Sequence, residues 1–329
     1  MQSCSVVQTI RCVLACLFLF TARDILGIES APAAWFKEAR LGAFMHFTLK
    51  TPEEFALAQQ FDVNAVAAQL EEMGASYLIF TIYHQNSDYM VAPNATYDRT
   101  AGYKPGERCS TRDLPLELYQ ALEPKGIKLM LYVTSQTPRN DLRVHKAFGL
   151  PEKKGDVKMD LVFAKKWAEV LGEWSQRYGD KVAGWWFDGC YAWIDFNEEM
   201  AQVYAAAVKQ GNTNALVAFN PGVKVPVIRA TRAENYTAGE LDKPFLARPE
   251  SRWLDGAQWH ALTYLGAWWK RQDTRYPTEQ WVAWVKTVTE KGGVVTLDLG
   301  PNLDLRAGPI GAFSEKQMKQ FKAIKEALK

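Results

Sequence analysis

From about residue 34 to the end of the chain, short apolar runs rich in β-branched and aromatic residues alternate with stretches of helical periodicity. This alternation constrains the fold more than any other feature. The strand-like runs are residues 41–47, 76–82, 127–133, 182–187, 215–220 and 294–299. Helices are predicted over residues 63–73, 114–122, 161–178, 197–209, 278–291 and 314–328. Gly74, Pro124-Lys125-Gly126, Gly179 and Gly292-Gly293 stop four of them, and Ser314 supplies an N-cap for the last. Strands alternating with helices imply βαβ units and a parallel sheet. Such regularity over nearly the whole chain predicts an α/β fold, a single-domain (β/α)8 TIM-type barrel over residues 31–329. A doubly wound α/β sheet is the alternative. Residues 221–277 show no regular pattern and are expected to hold strands six and seven with long active-site loops.

The chain has 329 residues and a net charge of +2, with no basic block, so no nucleic-acid partner is expected. Residues 1–30 read as an export signal: Arg11 precedes the apolar run from Cys12 to Phe20. That run is too short to span a bilayer. A secreted or periplasmic protein is expected, lysosomal if the source is eukaryotic. The segment Val13-Leu14-Ala15-Cys16 loosely resembles a lipoprotein box. Three of the five cysteines fall in this segment, leaving Cys109 and Cys190 and no disulfide framework. Asn94-Ala95-Thr96 and Asn235-Tyr236-Thr237 match the glycosylation sequon.

Chemistry enters at Gly184-Trp185-Trp186-Phe187-Asp188-Gly189, an apolar strand that delivers one carboxylate at its C-terminal end. Parallel barrels present catalytic groups at such ends, and an isolated charge among aromatic rings is costly without a function. The other predicted ends carry His46, then Tyr83-His84-Gln85-Asn86, then Tyr132, Asn220 and Asp298. Two of only four histidines fall at strand ends, whereas His145 lies in a charged stretch expected at the surface. Trp186 shares a strand face with Asp188 and is expected to floor a sugar or fill the interior. Trp268-Trp269 read either as a subsite wall or as core. Two chemistries use such groups. Metal-assisted hydrolysis would take His46, His84 and Asp188 as ligands, without a paired-His signature. Glycoside hydrolysis needs two carboxylates and no cofactor.

The ordered motifs resemble those of glycoside hydrolase family 29, the α-L-fucosidases, from Trp35 to about Pro309. Trp35 through His46 resembles the family's opening strand. Arg112-Asp113-Leu114 and Lys125 through Tyr132 resemble its helix and third strand. Tyr178-Gly179 followed by Trp186-Phe187-Asp188-Gly189 resembles its nucleophile motif, and Lys291 through Pro301 its late strand. The resemblance implies a retaining, exo-acting hydrolase of fucosylated glycans with Asp188 as nucleophile. Thr237-Ala238-Gly239-Glu240 resembles the segment carrying the acid/base, which points to Glu240, with Glu234 as runner-up. His46, Glu54, Tyr83, His84, Tyr132, Trp186 and Asn220 are the implied sugar-binding residues. The sequence departs from the family at Tyr83-His84, where two histidines are usual, and at Trp259-His260, where Trp-Glu is usual. It also ends without the β-sandwich that members often carry. These departures raise a second reading, a carbohydrate-binding barrel that has lost turnover.

Overall fold

The computed structural model describes residues 34–329; the expected export segment at residues 1–30 lies outside them. Helix α1 (Ala34–Ala39) leads into β1 (Leu41–Met45), followed by α2 (Pro52–Leu57), α3 (Val63–Met73) and β2 (Tyr77–Thr81). Then come α4 (Ala95–Ala101), α5 (Leu114–Leu122), β3 (Lys128–Thr134), α6 (Leu142–Phe148), α7 (Leu161–Tyr178) and β4 (Val182–Asp188). Helix α8 (Glu198–Val208) and β5 (Leu216–Phe219) precede a two-stranded ribbon of β6 (Trp253–Leu254) and β7 (Ala257–Gln258). The chain closes with β8 (His260–Tyr264), α9 (Thr278–Glu290), β9 (Val294–Asp298) and α10 (Glu315–Glu326). Local chemistry sets the boundaries. Asp62, Asn94, Asp113, Asp141, Asp160 and Ser314 each cap a helix by accepting a backbone N–H. The one-turn helices α1, α2, α4 and α6 were not expected, because elements this short carry too little periodicity to register.

Seven strands form one parallel sheet in the order β5-β4-β3-β2-β1-β9-β8. Residues 235–241 run in extended form from the β5 edge to the β8 edge. The Asn235 N–H donates to the Val217 carbonyl of β5, and Leu262 of β8 donates to the Gly239 carbonyl while accepting from Leu241. Residues 221–277 thus contain one strand of the main sheet, β8, the β6–β7 ribbon, and a segment that bridges the two sheet edges without a strand ladder. Gly239 has φ +61°, and a Cβ there would lie 2.0 Å from the His260 carbonyl oxygen, so only glycine lets the segment lie this close to β8.

Alternate residues along each strand serve two cores. Leu78, Phe80, Leu129, Leu131, Trp185 and Phe187 pack outward with the helices. Phe44, Ile79, Met130, Tyr132 and Trp186 fill the inside of the curled sheet. The period of two therefore puts Asp188 on the inner side with Trp186. His145 is on α6 and buried, with Nδ1 hydrogen-bonded to the Pro151 carbonyl at 3.1 Å, contrary to the surface position expected. The charged residues around it line the exposed face of one helical turn, and the ring lies on the other. Cys109 and Cys190 are both buried and free. Asn94 is also buried, its side chain capping α4 and donating to the Val170 carbonyl, so its sequon is inaccessible in the fold. Among the described residues no helix is long and apolar enough to cross a membrane.

Candidate active site

The C-terminal ends of the sheet strands converge on a pocket of about 490 Å³ whose lining includes His46, His84, Tyr132, Trp186, Asp188 and Glu240. Each predicted group reaches it for a local reason. Asp188 is the last residue of β4, and the Gly189 that follows has φ +69°, which turns the chain away from the opening. Trp186, two residues earlier, lies flat against Tyr132 at 5.3 Å and donates its indole N–H to the Ala238 carbonyl at 3.1 Å. These two buried rings form the floor.

Asp188 is held on both oxygens. The Tyr132 hydroxyl donates to Oδ2 at 2.6 Å, and Asn220 Nδ2 donates to Oδ1 at 2.8 Å. The same Asn220 nitrogen donates to Glu240 Oε2 at 2.6 Å. Those two carboxylate oxygens therefore lie no farther apart than the two bonds laid end to end. That limit falls in the roughly 5–5.5 Å range of a retaining pair, short of the roughly 6.5–9.5 Å of an inverting one. Burial, and then the charge of Asp188, push the Glu240 carboxyl up to about 7, while the Asn220 hydrogen bond opposes them. The pair combines an acid that keeps its proton near neutrality with a neighbour held by two hydrogen-bond donors.

Two histidines line the pocket, and His84 is arranged as a neutral ring. His84 Nε2 lies 3.7 Å from Asp188 Oδ2. Burial drives its pKa down to about 3 in spite of Asp188. Its Nδ1 accepts the Asn86 backbone N–H at 3.0 Å, so the proton of the neutral ring sits on Nε2, facing Asp188. His46 Nδ1 lies 3.5 Å from Asp298 Oδ1, and among the described residues neither atom has a hydrogen-bond partner. Asp298 Oδ2 accepts the Lys270 backbone N–H at 2.9 Å, so this carboxylate orients groups on two sides of the pocket.

Three expected assignments meet a different geometry, and the His260 departure proves structural. Tyr83 packs in the outer core against Trp167 and Trp174, and its hydroxyl donates to the Thr134 and Gln136 carbonyls. It stands next to His84 in sequence, but the chain turns after β2 and sends the two rings to opposite sides. Glu54 sits in the first turn of α2, does not line the pocket, and accepts the Lys50 backbone N–H at 2.6 Å. Glu234 is buried away from Asp188 and accepts backbone N–H groups of Phe219, Ala230 and Thr231, which makes it a loop anchor and removes it as acid/base. His260 is a neutral core residue: burial lowers its pKa to about 4, and it bonds to the Thr237 carbonyl and the Thr296 hydroxyl. Asn220 lies beneath the pocket surface, between the two carboxylates. Trp268 and Trp269 both line the opening. Sequence reasoning passed over Thr48, Lys50, Tyr191 and Lys270, which also line it. Proximity to motifs was the available signal: Tyr191 lies three residues after Asp188, and Lys270 directly follows the Trp pair. Among the described residues no group of three His, Cys, Asp or Glu side chains is arranged to hold a metal ion.

A parallel, curled α/β sheet with one carboxylate at a strand end and a second facing it from the neighbouring segment defines the glycoside-hydrolase type of site. The alpha-L-fucosidase family model matches residues 50–326, and the chain belongs to that family. The matched range starts after the His46 motif and ends within α10. No curated protein is similar enough in sequence to match. Among solved structures, the endo-fucoidan hydrolase MfFcnA4 of glycoside hydrolase family 107 superposes with a TM-score of 0.71 at 19% identity, covering 90% of this chain and 53% of that one. This chain thus spans about half the length of that relative. A family 29 α-L-fucosidase from Bacteroides thetaiotaomicron gives 0.62 at 17% identity, covering 89% of this chain and 73% of that one. The α-L-fucosidase AlfC from Lactobacillus casei, in complex with α-L-fucose, gives 0.62 at 18% identity, covering 90% and 98%. At these identities the likeness is one of fold.

Two predictions follow from this geometry. Asn220→Ala removes the shared donor and is expected to lower kcat/KM about 10- to 100-fold, the scale of one or two hydrogen bonds to charged groups. Because the Asn220 bond lowers the Glu240 pKa, the descending limb of the pH–rate profile moves to higher pH in the variant. A downward move contradicts the arrangement. The second concerns stability. Burial raises Glu234 to about 8 and Glu240 to about 7, so both are protonated when folded at a pH where the unfolded chain has lost the protons. Groups raised in this way stabilise less as pH climbs from the ordinary carboxyl value through the folded value. The thermal midpoint is therefore expected to fall by a few degrees between about pH 6.5 and 8, and Glu234→Gln should flatten that fall. Scanning calorimetry across this range checks it; a midpoint that rises refutes it.

Proposed function

We propose that this protein is a retaining, exo-acting glycoside hydrolase that releases α-L-fucose, or a sugar of the same configuration, from glycans. One observation carries the reading: a single Asn220 nitrogen bridges Asp188 and Glu240, which keeps their facing oxygens closer than an inverting pair would be and supports retention. Asp188 attacks the anomeric carbon to give a glycosyl-enzyme, while Glu240 gives its proton to the departing oxygen. Glu240 then takes a proton from water, which attacks the same carbon and frees Asp188. The Tyr132 and Asn220 donors steady the Asp188 carboxylate with the neutral His84 ring beside it, Trp186 meets the apolar sugar face, and His46 meets a hydroxyl. No cofactor enters these steps.

Family membership supports the substrate class. The covalent route is supported by the Bacteroides enzyme, which was trapped as a covalent intermediate with 2-fluoro-fucosyl fluoride. A compact pocket with a closed floor suits one terminal sugar, although the family 107 neighbours are endo-acting. We read residues 235–241 as the stave that completes a (β/α)8 barrel, which gives Glu240 the strand-end position of a catalytic group. Export through residues 1–30 belongs to the same reading, since fucosylated glycans lie largely outside the cytoplasm.

The test is to cleave an aryl α-L-fucoside and follow the first product anomer by NMR. Initial α-L-fucose supports retention, and initial β-L-fucose overturns it. The reading as a binding-only barrel predicts no turnover on any fucoside, and fucose binding by calorimetry would then be its sign.

A further inference from the structure

Lys50 and Lys270 both line the pocket, on the side where Thr48 and Asp298 lie. Their surroundings are unusual for ammonium groups this close to a sugar site. The two nearby carboxylates each place one oxygen on a lysine backbone rather than on an ammonium: Glu54 Oε2 accepts the Lys50 N–H at 2.6 Å, and Asp298 Oδ2 accepts the Lys270 N–H at 2.9 Å. Neither ammonium forms an ion pair with a carboxylate among the described residues. Lys270 Nζ spends one of its three donors on the Thr48 hydroxyl at 2.6 Å, and no other side-chain bond of it is seen. Its backbone is held at φ +67°, a conformation that a non-glycine residue adopts only when its surroundings fix it. Burial, followed by the charge of Lys50, lowers the Lys270 pKa, and Glu54 and Asp298 only partly offset this. Lys270 therefore keeps unused N–H donors at the pocket wall, beside a second ammonium, where an anionic group of a ligand could accept from them.

We infer that Lys50, Lys270 and Thr48 form a subsite for an anionic substituent, a sulfate ester or a carboxylate, carried by the sugar in the pocket or by its immediate neighbour. Two ammonium groups and a hydroxyl suit an oxyanion with several acceptor oxygens. A neutral sugar would make no use of either charge. The inference rests on the reading of the pocket as a sugar site and deepens it to a substrate class.

The experiment measures kcat/KM for an aryl α-L-fucoside, its monosulfate esters and a fucosylated disaccharide bearing a uronic acid. Wild type is compared with Lys270→Met and with Lys50→Met, whose exposed position makes misfolding a lesser concern. Calorimetric binding of methyl α-L-fucoside and its monosulfates is measured in parallel. At least one anionic substrate is expected to exceed the neutral one by about tenfold or more. That ratio should collapse toward one in each lysine variant and shrink as salt is added. Preference for the sulfate or for the uronic acid identifies the source of the anion. If the neutral fucoside is cleaved as well as every anionic one, or the ratio is the same in the variants, the subsite is refuted while the hydrolase reading stands. If nothing is cleaved but a monosulfate binds at least tenfold more tightly than the neutral fucoside in a lysine-dependent way, the hydrolase reading fails and the subsite stands.

Discussion

Asp188→Asn is expected to reduce turnover of every α-L-fucoside by on the order of a thousandfold or more, with the folded state intact. The amide has nearly the shape of the carboxylate, so the pocket keeps its form. What it lacks is the negative oxygen that attacks the anomeric carbon. Tyr132 donates to Oδ2 and Asn220 to Oδ1. An amide nitrogen placed on either side would meet a donor, so the variant also loses part of this clamp. Initial-rate kinetics on an aryl fucoside, with circular dichroism as a control for folding, measure the effect. A variant retaining near-wild-type turnover on any cleaved substrate removes Asp188 as nucleophile. With wild type, a fluorinated fucosyl fluoride should add one sugar mass to the protein, and peptide mapping should place it on Asp188.

Glu240→Gln is expected to have the second-largest effect, and its signature is dependence on the leaving group. The general acid contributes about 10²- to 10⁴-fold when the departing oxygen needs a proton. An aryl fucoside whose phenol leaves readily should therefore lose little in the first step, whereas a fucosyl disaccharide should lose nearly all activity. The pH profile provides a second readout. The acid works only while protonated, and the environment of Glu240 raises its pKa to about 7. Wild-type activity should fall as pH rises through about 7, and that limb should vanish in Glu240→Gln. Equal losses on activated and unactivated substrates, with the alkaline limb retained, would reassign the acid/base.

The helices and strands with strong periodicity were legible in the sequence. The runs that became β1–β5 and β9 were expected to within a few residues, because buried strands and amphipathic helices leave patterns of two and 3.6. Strand β8, His-Ala-Leu-Thr-Tyr, was missed. Its neighbours Trp259 and Leu265 are buried too, but the long stretches of turn chemistry around it hide a short apolar run. Residues 235–241 were harder still. They pair with β5 and β8 through scattered bonds and not a ladder, and Gly239 interrupts any alternation.

The site was legible where chemistry follows strand register. Asp188 and Trp186 share a face because they are two residues apart on one strand, and any parallel sheet of this sequence would put them together. Glu240 over Glu234 was a different matter. The two acids lie six residues apart on an irregular segment, where no period assigns a direction. Only the packing of Gly239 against the His260 carbonyl turns Glu240 toward Asp188, while three backbone N–H groups hold Glu234 elsewhere. Tyr83 and His84 show the same limit: adjacent residues after a strand separate according to how the following turn packs. Two lysines from positions 50 and 270 that meet at one pocket wall have no signature in a linear chain.

The chain by itself therefore determined the layering, the strand that bears Asp188, and the family, since each follows from local periodicity or from contiguous motifs. The folded molecule alone decided which second carboxylate faces the first, that one asparagine joins them, and that the pocket wall is cationic. Those facts are distances between residues far apart in sequence, and they come into being only when the sheet curls and brings its strand ends together.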